Sequence, residues 1–359
     1  MPHEQFLGES PLYPLSKYVG DLRSSLPTDA FKPAHSRLLL VPVHLAVIVT
    51  AIVAIAAGWL PWPVVPLASL AIGISFACLT FVAHEALHGG IVRNKRVRYA
   101  VGMIGFMPFG VSARLWIAWH DRVHHANANL PNDPDMYPTL AEYHGSSRIR
   151  FLVNAFSLGC RRWRGGLSLI LGFTVQSAHQ LIAATKSGFL SPSQHRLAIA
   201  ETGLGIAVWG TVAALVGFVP FLFVYVLPLL IGNVIIMSFI LTNHSLSPLV
   251  SVNDPLVSGL SVTAPRWVEW ITLRFGFHVE HHLFPAMSSR HAHVVRSLLQ
   301  DRWPERYQSM PLHKALGELH RTARIYKDAV TLIDPRTGRE FPTLLPAPRL
   351  ADLRDSAAA

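Results

Sequence analysis

Two long runs without charged side chains constrain this chain more than any other feature of its sequence. Residues 38–60 contain no Asp, Glu, Lys or Arg over 23 positions. A helix of that length extends about 34 Å, which is enough to cross a hydrocarbon core of about 30 Å. Pro61 and Pro63 end the run because proline lacks an amide donor, and a second apolar run covers residues 62–83. The two runs predict a transmembrane hairpin with an uncharged turn.

The same pattern recurs in the second half of the chain. Residues 197–219 are apolar except for Glu201, Pro220 marks a turn, and residues 221–241 are apolar again. Only 14% of the residues are charged, whereas soluble domains carry about 25%. This composition excludes a disordered chain and argues against an ordinary soluble enzyme. We therefore expect an all-α integral membrane protein with four transmembrane helices in two hairpins.

The positive charges indicate the orientation, because short cytoplasmic loops carry an excess of Lys and Arg. Basic residues lie in the N-terminal segment, in the loop between the hairpins and in the C-terminal region, while neither hairpin turn is charged. Both termini and the central loop are therefore expected to be cytoplasmic. The first 36 residues have no apolar core typical of a cleavable signal peptide, so the first span is expected to act as a signal anchor.

These features divide the chain into three predicted parts: a cytoplasmic N-terminal segment (residues 1–37), a membrane domain (residues 38–300) and a cytoplasmic tail (residues 301–359). Within the membrane domain, residues 101–118 and 165–185 are predicted to be interfacial or buried helices rather than spans.

The excess of Lys and Arg on the cytoplasmic side accounts for most of the net charge of +10. The same basic face also suits an acidic electron donor or acyl carrier. No nucleic-acid-binding motif accompanies it, and no nucleic-acid partner is expected.

Histidine is the unusual component, because eight of the 19 histidines lie in three short segments. These are HEALH (residues 84–88), HDRVHH (residues 120–125) and HVEHH (residues 278–282). Residues three or four positions apart lie on one face of a helix, so each segment directs at least two imidazoles at a common point. His244, after the fourth run, adds a ninth. The first segment and His244 lie at the ends of the second and fourth runs that are expected to be cytoplasmic.

Nine imidazoles exceed the needs of one metal ion, since a structural zinc takes four ligands and a catalytic zinc three. They fit two metals that each have four or five protein ligands and an open position. Imidazole binds iron, copper, zinc and nickel, so the ligand type alone does not name the metal. The predicted ligands are His84, His88, His120, His124, His125, His244, His278, His281 and His282. The histidines predicted to be ordinary interior or surface residues are His44, His144, His179, His195, His291 and His293.

The order HxxxH, HxxxHH and HxxHH resembles the membrane fatty acid desaturase family, which are integral-membrane non-haem diiron enzymes. The segment WHDRVHHANANLPNDPDMYP is similar to that family's second box with its acidic tail, and FHVEHHLFP is similar to its third. The resemblance runs from the first span to about residue 300. It implies four spans, a cytosolic cap and two irons. The eight box histidines match the family's ligands, and His244 matches an extra ligand after the last span.

The resemblance also implies an activity, the desaturation of an acyl chain with dioxygen and two external electrons. It implies no catalytic residue beyond the metal ligands. The substrate is expected to be an acyl lipid, an acyl carrier protein or an acyl-CoA, and the electron donor a separate ferredoxin, rubredoxin or cytochrome b5 type protein. A bacterial inner membrane is the expected location. Three carboxylates are candidates for orienting an imidazole through the ring nitrogen that does not bind the metal. The alternative roles for each are a loop cap or a solvated carboxylate. They are Asp133, Asp135 and Glu280.

Some positions depart from subgroups of the family. Residue 278 is His, whereas front-end desaturases begin their third box with Gln. Residues 88–90 read His-Gly-Gly and lack the proline of the cytochrome b5 haem motif, so the donor is expected to be a separate protein. Related acyl-CoA enzymes have a water-holding asparagine four residues before the ninth histidine. This chain has Ile240 there and Asn243 beside the histidine, so the resemblance assigns no such asparagine.

The residues alone leave other functions open. HEALH also matches the HExxH motif of metalloproteases, although that function leaves most of the nine histidines unused. A soluble carboxylate-bridged diiron bundle needs paired ExxH motifs, and only Glu85 with His88 supplies one. A metal transporter needs ionisable groups inside the membrane, where the spans offer little besides His44 and Glu201. Hydroxylases, acetylenases and carotenoid-modifying enzymes share the three boxes, although the LFP after the third resembles fatty acyl enzymes more closely.

Overall fold

A computed structural model describes the chain at residues 6–7, 10–156 and 159–345, and this part is mostly helical. Four helices, counted with the short 3-10 or π-helical turns that adjoin them, are long and apolar enough to cross a membrane. They are His35–Ala56, Trp62–His88, Pro192–Val216 and Phe218–His244. Each predicted apolar run lies largely within one of them, so the prediction of four membrane-length helices is confirmed.

The α-helices follow one another in chain order. They are α1 (Leu15–Arg23), α2 (Leu40–Ala56), α3 (Val65–His88), α4 (Lys95–Phe106), α5 (Ala113–Trp116), α6 (His125–Asn127), α7 (Leu140–Gly145), α8 (Ser147–Phe156), α9 (Leu167–Ala183), α10 (Pro192–Val216), α11 (Phe218–Phe221), α12 (Leu227–His244), α13 (Pro255–Ser258), α14 (Arg266–Ile271), α15 (His278–Leu283), α16 (Ala292–Arg302) and α17 (Leu312–Arg321). Two π-helical segments, Ile117–His124 and Leu222–Val226, continue α5 and α11. The 3-10 helices are His35–Leu39, Trp62–Val64, Met107–Phe109, Trp163–Gly166 and Ser289–His291.

Short strands complete the described structure. β1 (Phe6–Leu7) and β2 (Ser10–Pro11) pair antiparallel, β3 (Ser261–Thr263) and β4 (Ser309–Pro311) pair parallel, and β5 (Thr331–Ile333) and β6 (Glu340–Pro342) pair antiparallel. The β3–β4 pair joins the segment before the third histidine box to the C-terminal region, and α17 packs on α12. Residues 309–321 therefore pack against β3 and α12.

The centre of the fold is the packing of α3 against α12. A Cβ atom at Gly73 of α3 would lie 2.7 Å from the Cβ of Ile231, so glycine allows the two helices to approach closely. α3 is apolar on all sides and largely buried, whereas many apolar side chains of α2 and α10 are exposed, as expected where helices face lipid. Because α3 and α12 both end in histidine, their packing brings two sets of imidazoles together.

The segment between the first two histidine boxes is a broken helix. The direction changes by 106° between Lys95–Phe109 and Ala113–Asn127. The carboxylate of Glu201 lies at this bend, where it accepts hydrogen bonds from the Oγ of Ser112 at 2.6 Å and from the hydroxyl of Tyr99. Ser112 is in turn the N-cap of α5. Glu201 thus anchors the start of the helix that carries the second box.

A buried polar cluster joins the N-terminal segment to the region that follows α16. The carboxylate of Asp254 accepts hydrogen bonds from the guanidinium of Arg306 at 2.6 Å, the hydroxyl of Tyr18 at 3.0 Å and the backbone N–H of Tyr13 at 2.8 Å. The charged pair is buried, so its mutual hydrogen bonds offset the cost of leaving water. Helix α1 and the segment after α16 are thereby held against the region that follows α12.

Candidate metal centre

The first box ends the second membrane-length helix. His84 and His88 are one helical turn apart at the C-terminal end of α3, and Gly89 ends the helix with a left-handed φ of 92°. Glycine adopts this conformation without the steric cost that a side chain would add. Both histidines are buried, and their rings lie 4.8 Å apart.

The second box lies mainly on a π-helix, Ile117–His124, which passes into α6 at His125. The spacing had predicted an α-helix. A π-helical turn widens the backbone by one residue and is common at functional sites. His120, His124 and His125 all reach the same buried region from this segment, with ring separations of 5.0 Å from His120 to each of the other two.

The third box forms the short helix α15, and the ninth histidine ends α12. His278 and His282 lie one turn apart on α15 with their rings 4.4 Å apart. The Nε2 atoms of His278 and His244 are 2.5 Å apart. The structure therefore brings all nine predicted histidines into one region, from four separate helical segments.

The nine imidazoles form two adjoining groups. In the first, ring nitrogens of His84, His88, His120 and His125 lie within 4.8 Å of one another, and the ring of His281 is 4.6 to 4.9 Å from three of these rings. In the second, ring nitrogens of His124, His244 and His282 meet the same limit, and His278 lies beside His244 and His282. The stacked rings of His125 and His282, 4.4 Å apart, join the two groups.

The chemistry of these groups fits metal ions. Several buried ring nitrogens have no hydrogen-bond partner among the described residues, including Nε2 of His88 and of His281 and both ring nitrogens of His125. Burial, together with the neighbouring imidazoles, holds the pKa of His278, His281 and His282 well below the usual value for histidine. A lowered pKa favours the neutral form of these rings, and a neutral imidazole has a lone pair free to bind a metal. Two groups of five and four imidazoles can each supply the nitrogen ligands of one metal ion.

Carboxylate and carbonyl oxygens contact the Nδ1 atoms of some of these rings, which are called the outer nitrogens below. The Nδ1 atom of His124 is 2.9 Å from the carboxylate of Asp133, and the Nδ1 atom of His88 is 2.8 Å from that of Asp121. The Nδ1 atom of His244 is 2.9 Å from the carbonyl of Ser258. Such contacts fix which nitrogen faces a metal. Sequence reasoning found Asp133 but missed Asp121, although Asp121 adjoins His120 inside the second box.

Asp135 is a more distant neighbour of the same rings. Its carboxylate lies 3.5 Å from Nδ1 of His124 and 3.7 Å from Nδ1 of His120. It accepts closer hydrogen bonds from the indole of Trp119 at 2.6 Å and the amide of Gln176 at 2.7 Å. Asp135 therefore ties the second box to α9 and does not contact a ring as closely as Asp133 does.

Glu280 has partners other than histidine among the described residues. Its carboxylate accepts hydrogen bonds from the Oγ of Ser261 at 2.5 Å, the Nε of Arg296 at 2.9 Å and the hydroxyl of Tyr307 at 2.6 Å. These groups come from β3, from α16 and from the segment after it. Glu280 therefore orients the whole helix α15 rather than a single imidazole.

An apolar cavity of about 410 Å³ adjoins both histidine groups. Its wall includes His84, His120, His124, His244 and His278. Other wall residues are mostly apolar and come from α4, α8, α9 and α12, including Phe106, Leu152, Val153, Phe173 and Met237. A cavity of this size and lining suits a small apolar ligand or a hydrocarbon chain. Ile240 and Asn243 also line it, and the buried side-chain amide of Asn243 has no partner among the described residues.

Histidines predicted to lie outside the metal groups occupy varied positions. His44 is near the hydroxyl of Ser75 within the spans, at 3.2 Å, and His195 contacts the carbonyl of Leu181 at 2.7 Å. His179 lines the cavity. None of these three belongs to the metal-binding groups that the described residues form.

Comparison with known proteins identifies the family. The family model "Fatty acid desaturase" matches residues 57–313, which is more than two thirds of the chain. The chain belongs to the fatty acid desaturase family. The two histidine groups are thus those of a family member, and the resemblance stated from the boxes is confirmed.

Individual relatives of this desaturase family member are distant. It is 23% identical over 257 residues to "Omega-6 fatty acid desaturase, chloroplastic" of Glycine max, a match that covers 68% of this chain and 58% of that one. It is 23% identical over 306 residues to "sn-1 oleoyl-lipid 12-desaturase" of Synechocystis sp., covering 79% and 81%. It is 28% identical over 121 residues to "sn-1 acyl-lipid omega-3 desaturase (ferredoxin)" of Nostoc sp., covering 33% of each. The chain spans a little over half the length of the chloroplastic relatives it matches.

The position of Glu85 in this desaturase family member bears on the HExxH alternative. A metalloprotease uses this glutamate as a general base toward a metal-bound water. Here the carboxylate accepts hydrogen bonds from the Oγ of Ser288 at 2.9 Å and the N–H of Ser289 at 3.1 Å, and it pairs with Arg37. A carboxylate occupied in this way ties α3 to the N-terminal segment and to the region after the third box. It is not free to act as a base.

Proposed function

We propose that this chain is a membrane fatty acyl desaturase that introduces a double bond into an acyl chain. The observation that carries the proposal is the pair of adjoining imidazole groups at the wall of an apolar cavity. The family membership supports the same activity. Hydroxylation, acetylenation and carotenoid modification use the same histidine pattern, and the test below distinguishes hydroxylation from desaturation.

Two iron ions are the proposed metals. One would be held by His84, His88, His120, His125 and His281, and the other by His124, His244, His278 and His282. When bound, the irons supply the reduction of dioxygen with two external electrons and the removal of two hydrogens from adjacent carbons. Asp121 and Asp133 accept from the outer nitrogens of His88 and His124, which keeps the inner nitrogens directed at the metals.

The chain itself contributes an apolar cavity that would hold the acyl chain during the reaction. Phe106, Phe173 and Met237 line it with apolar atoms, so a hydrocarbon chain replaces water there. Trp116 and Trp119 also line it and lie on the helix that leads to the second box. Rigid rings beside the histidines would hold one carbon–carbon bond in place and keep water away from the reacting atoms.

The substrate and the donor are part of the proposal. The names of the relatives in Synechocystis and Nostoc specify acyl-lipid substrates, and the Nostoc name also specifies ferredoxin. We infer an acyl lipid as substrate, with acyl carrier protein and acyl-CoA as alternatives. We infer a separate electron carrier of the ferredoxin, rubredoxin or cytochrome b5 type. Exposed basic residues near the first box suit an acidic donor, among them Arg93, Lys95 and Arg96.

The placement in the membrane is also proposed. The four membrane-length helices would form two hairpins, with the histidine groups in a cytoplasmic cap and both termini cytoplasmic. The parts would be residues 1–37, 38–300 and 301–359, as expected from the sequence, and the membrane would be a bacterial inner membrane. The ends of α3 and α12 support this arrangement, because both meet the histidine groups and the basic loop follows α3.

The test is lipid profiling by mass spectrometry of a host that expresses the chain with a ferredoxin donor. Acyl species lighter by two hydrogen atoms should appear with the wild-type chain and be absent with His124→Ala, because that variant removes a ligand. His293→Ala is the matched control and should retain the products, since His293 is exposed beside Arg274.

Other outcomes have defined meanings. Products heavier by one oxygen atom would replace desaturation with hydroxylation at the same metal site. Normal products from His124→Ala, with the variant protein present at equal amount in the membrane, would contradict the proposed metal ligands.

A further inference from the structure

Along α12, the wall of the apolar cavity runs from the histidine end of the helix back to Met237 and Ile236. One helical turn beyond Met237, the side-chain amide of Asn233 donates a hydrogen bond to the hydroxyl of Thr174 at 3.1 Å and accepts one from the N–H of Thr174 at 3.2 Å. Neither Asn233 nor Thr174 belongs to the cavity wall. α9 and α12 are therefore joined directly beyond Met237.

Phe109 fills the space between α3 and α12 beyond the same point. The centroid of its buried ring lies 6.3 Å from that of Phe76, which is one turn before the cavity residue Thr80 on α3. A Cβ atom on Gly232 would lie 2.7 Å from Cζ of Phe109. The ring also packs edge to face on the cavity residue Phe173, with the centroids 5.4 Å apart. Packed side chains therefore close this end of the cavity.

Another part of the cavity wall reaches the surface. It includes the exposed Glu142 of α7 and the partly exposed Gln176 and His179 of α9. A polar head group can stay in water at this part, whereas the apolar methyl end of an acyl chain is favoured in the closed end. On α12, Met237 precedes His244 by seven residues, which is about 10 Å along a helix. The closed end is thus well separated from the histidine groups.

Gly172 of α9 leaves the room that the side chain of Met237 occupies. A Cβ atom on Gly172 would lie 2.7 Å from Cε of Met237 and 3.2 Å from its Cγ. Met237 is buried, and a methionine side chain is flexible. Since both residues line the cavity, the free space beside the methionine is the cavity itself. A larger residue at position 172 would therefore push the side chain of Met237 into the cavity.

We propose that Met237 and Gly172 limit the length of the acyl chain that the cavity accepts, with the terminal methyl group of the chain against Met237. The inference rests on the proposed function, since it takes the ligand to be an acyl chain. Replacing Met237 with alanine leaves space for about two more methylenes, and one methylene too many for an apolar pocket weakens binding by about tenfold or more. Chain length is therefore the property that these two residues control.

Binding to the purified full-length chain, without an electron donor, tests the proposal without turnover. The probes are saturated monoacylglycerols whose chains differ by successive pairs of methylenes. The readout is the rise of the thermal unfolding midpoint with probe concentration, because a ligand of the folded state stabilises that state by mass action. Each variant is compared with the wild-type chain at the same chain length and in the same detergent, so the partition of a probe into micelles is equal for both.

Met237→Ala should bind the first chain that is too long for the wild-type cavity at least about tenfold more tightly than the wild-type chain does. Its length limit should rise by about two methylenes, the space that the truncated side chain leaves. Met103→Ala, at a methionine of α4 that does not line the cavity, is the matched control and should keep the wild-type limit.

Gly172→Ala should lower the length limit, because the displaced methionine side chain fills the closed end. Gly172→Ala combined with Met237→Ala should have a limit below that of Met237→Ala alone, since the added methyl group occupies part of the space that the methionine leaves. This double variant also removes the close contact, so it tests the role of Gly172 even where Gly172→Ala does not fold. Gly210→Ala, at a position with nothing within 4 Å of a Cβ atom, is the control.

The same length limit in Met237→Ala and in the wild-type chain would overturn the proposal. So would a folded Gly172→Ala protein that keeps the wild-type limit, or a double variant with the limit of Met237→Ala. No stabilisation of the wild-type chain at any length would contradict both this inference and the proposed function. Bound chains with the expected shifts but no desaturated product would support the inference and contradict only the proposed activity.

Discussion

At the scale of single residues, the carboxylates near the histidines differ in what they contact. Asp133 was predicted either to orient an imidazole or to be a loop cap or solvated carboxylate, and its carboxylate contacts Nδ1 of His124. Glu280 was given the same role, but its carboxylate is occupied by Ser261, Arg296 and Tyr307. The spacing in the sequence identifies an acidic residue near a metal ligand. The direction in which the side chain of that residue points depends on groups that are far away in the chain.

The contact between Asp133 and His124 gives a prediction at this scale. Asp133→Asn should lower the affinity for iron by about 10- to 100-fold, because the outer contact that orients His124 loses its charge. Iron retained during dialysis against a graded series of chelator concentrations measures the change. Asp301→Asn, at an exposed aspartate of α16, is the control and should behave like the wild-type chain. Equal iron retention in Asp133→Asn would exclude this role.

At the scale of the elements, the local backbone differs from what periodicity predicts. The second box was expected on an α-helix and lies on a π-helix that passes into α6. The two conformations differ by one residue per turn, and the apolar pattern of eight residues does not distinguish them. The apolar runs of α2 and α10 were predicted well, because the length and hydropathy of a span are local properties.

The close packing of α3 on α12 gives a prediction at this scale. Gly73→Ala should destabilise the protein by about 1–3 kcal/mol, because its Cβ atom would lie 2.8 Å from Cγ2 of Ile231 and 2.9 Å from the carbonyl oxygen of Pro228. Thermal unfolding in detergent measures the loss. Gly210→Ala in α10 is the matched control, since nothing lies within 4 Å of a Cβ atom there. The two variants having the same midpoint would contradict this account of the packing.

At the scale of the whole molecule, long-range contacts join the N-terminal segment and the regions after α15 and α16 to the centre of the fold. The Asp254 carboxylate holds Tyr18 and Arg306, and Glu85 holds Arg37 and Ser288. Through these two carboxylates, Tyr18 is linked to Arg306 and Arg37 to Ser288, and the residues of each pair are more than two hundred positions apart in the sequence. The parts at residues 1–37 and 301–359 were predicted from charge and hydropathy, which carry no information on which distant partners they meet.

The proposed orientation gives a prediction at this scale. In a Cys160→Ser background, Ala57→Cys places a thiol in the exposed turn between α2 and α3, and Lys95→Cys places one in the basic segment after α3. A membrane-impermeant maleimide should label Ala57→Cys in intact cells and Lys95→Cys only after permeabilisation, because basic segments stay cytoplasmic. The background protein, whose remaining Cys78 is buried, should stay unlabelled. The reverse pattern would invert the proposed topology.

The membrane-length helices and the family could be predicted from the sequence, because each depends on local hydropathy or on the short spacing of the histidine boxes. The tertiary structure alone decided how the histidines are grouped. Neighbouring His124 and His125 belong to different groups, since successive side chains on a helix point about 100° apart and meet different partners. It also decided that Arg324, in a segment without a recognisable motif, donates a hydrogen bond to Ser168, which lines the cavity. Both features depend on which distant elements pack together, and no local sequence pattern predicts that packing.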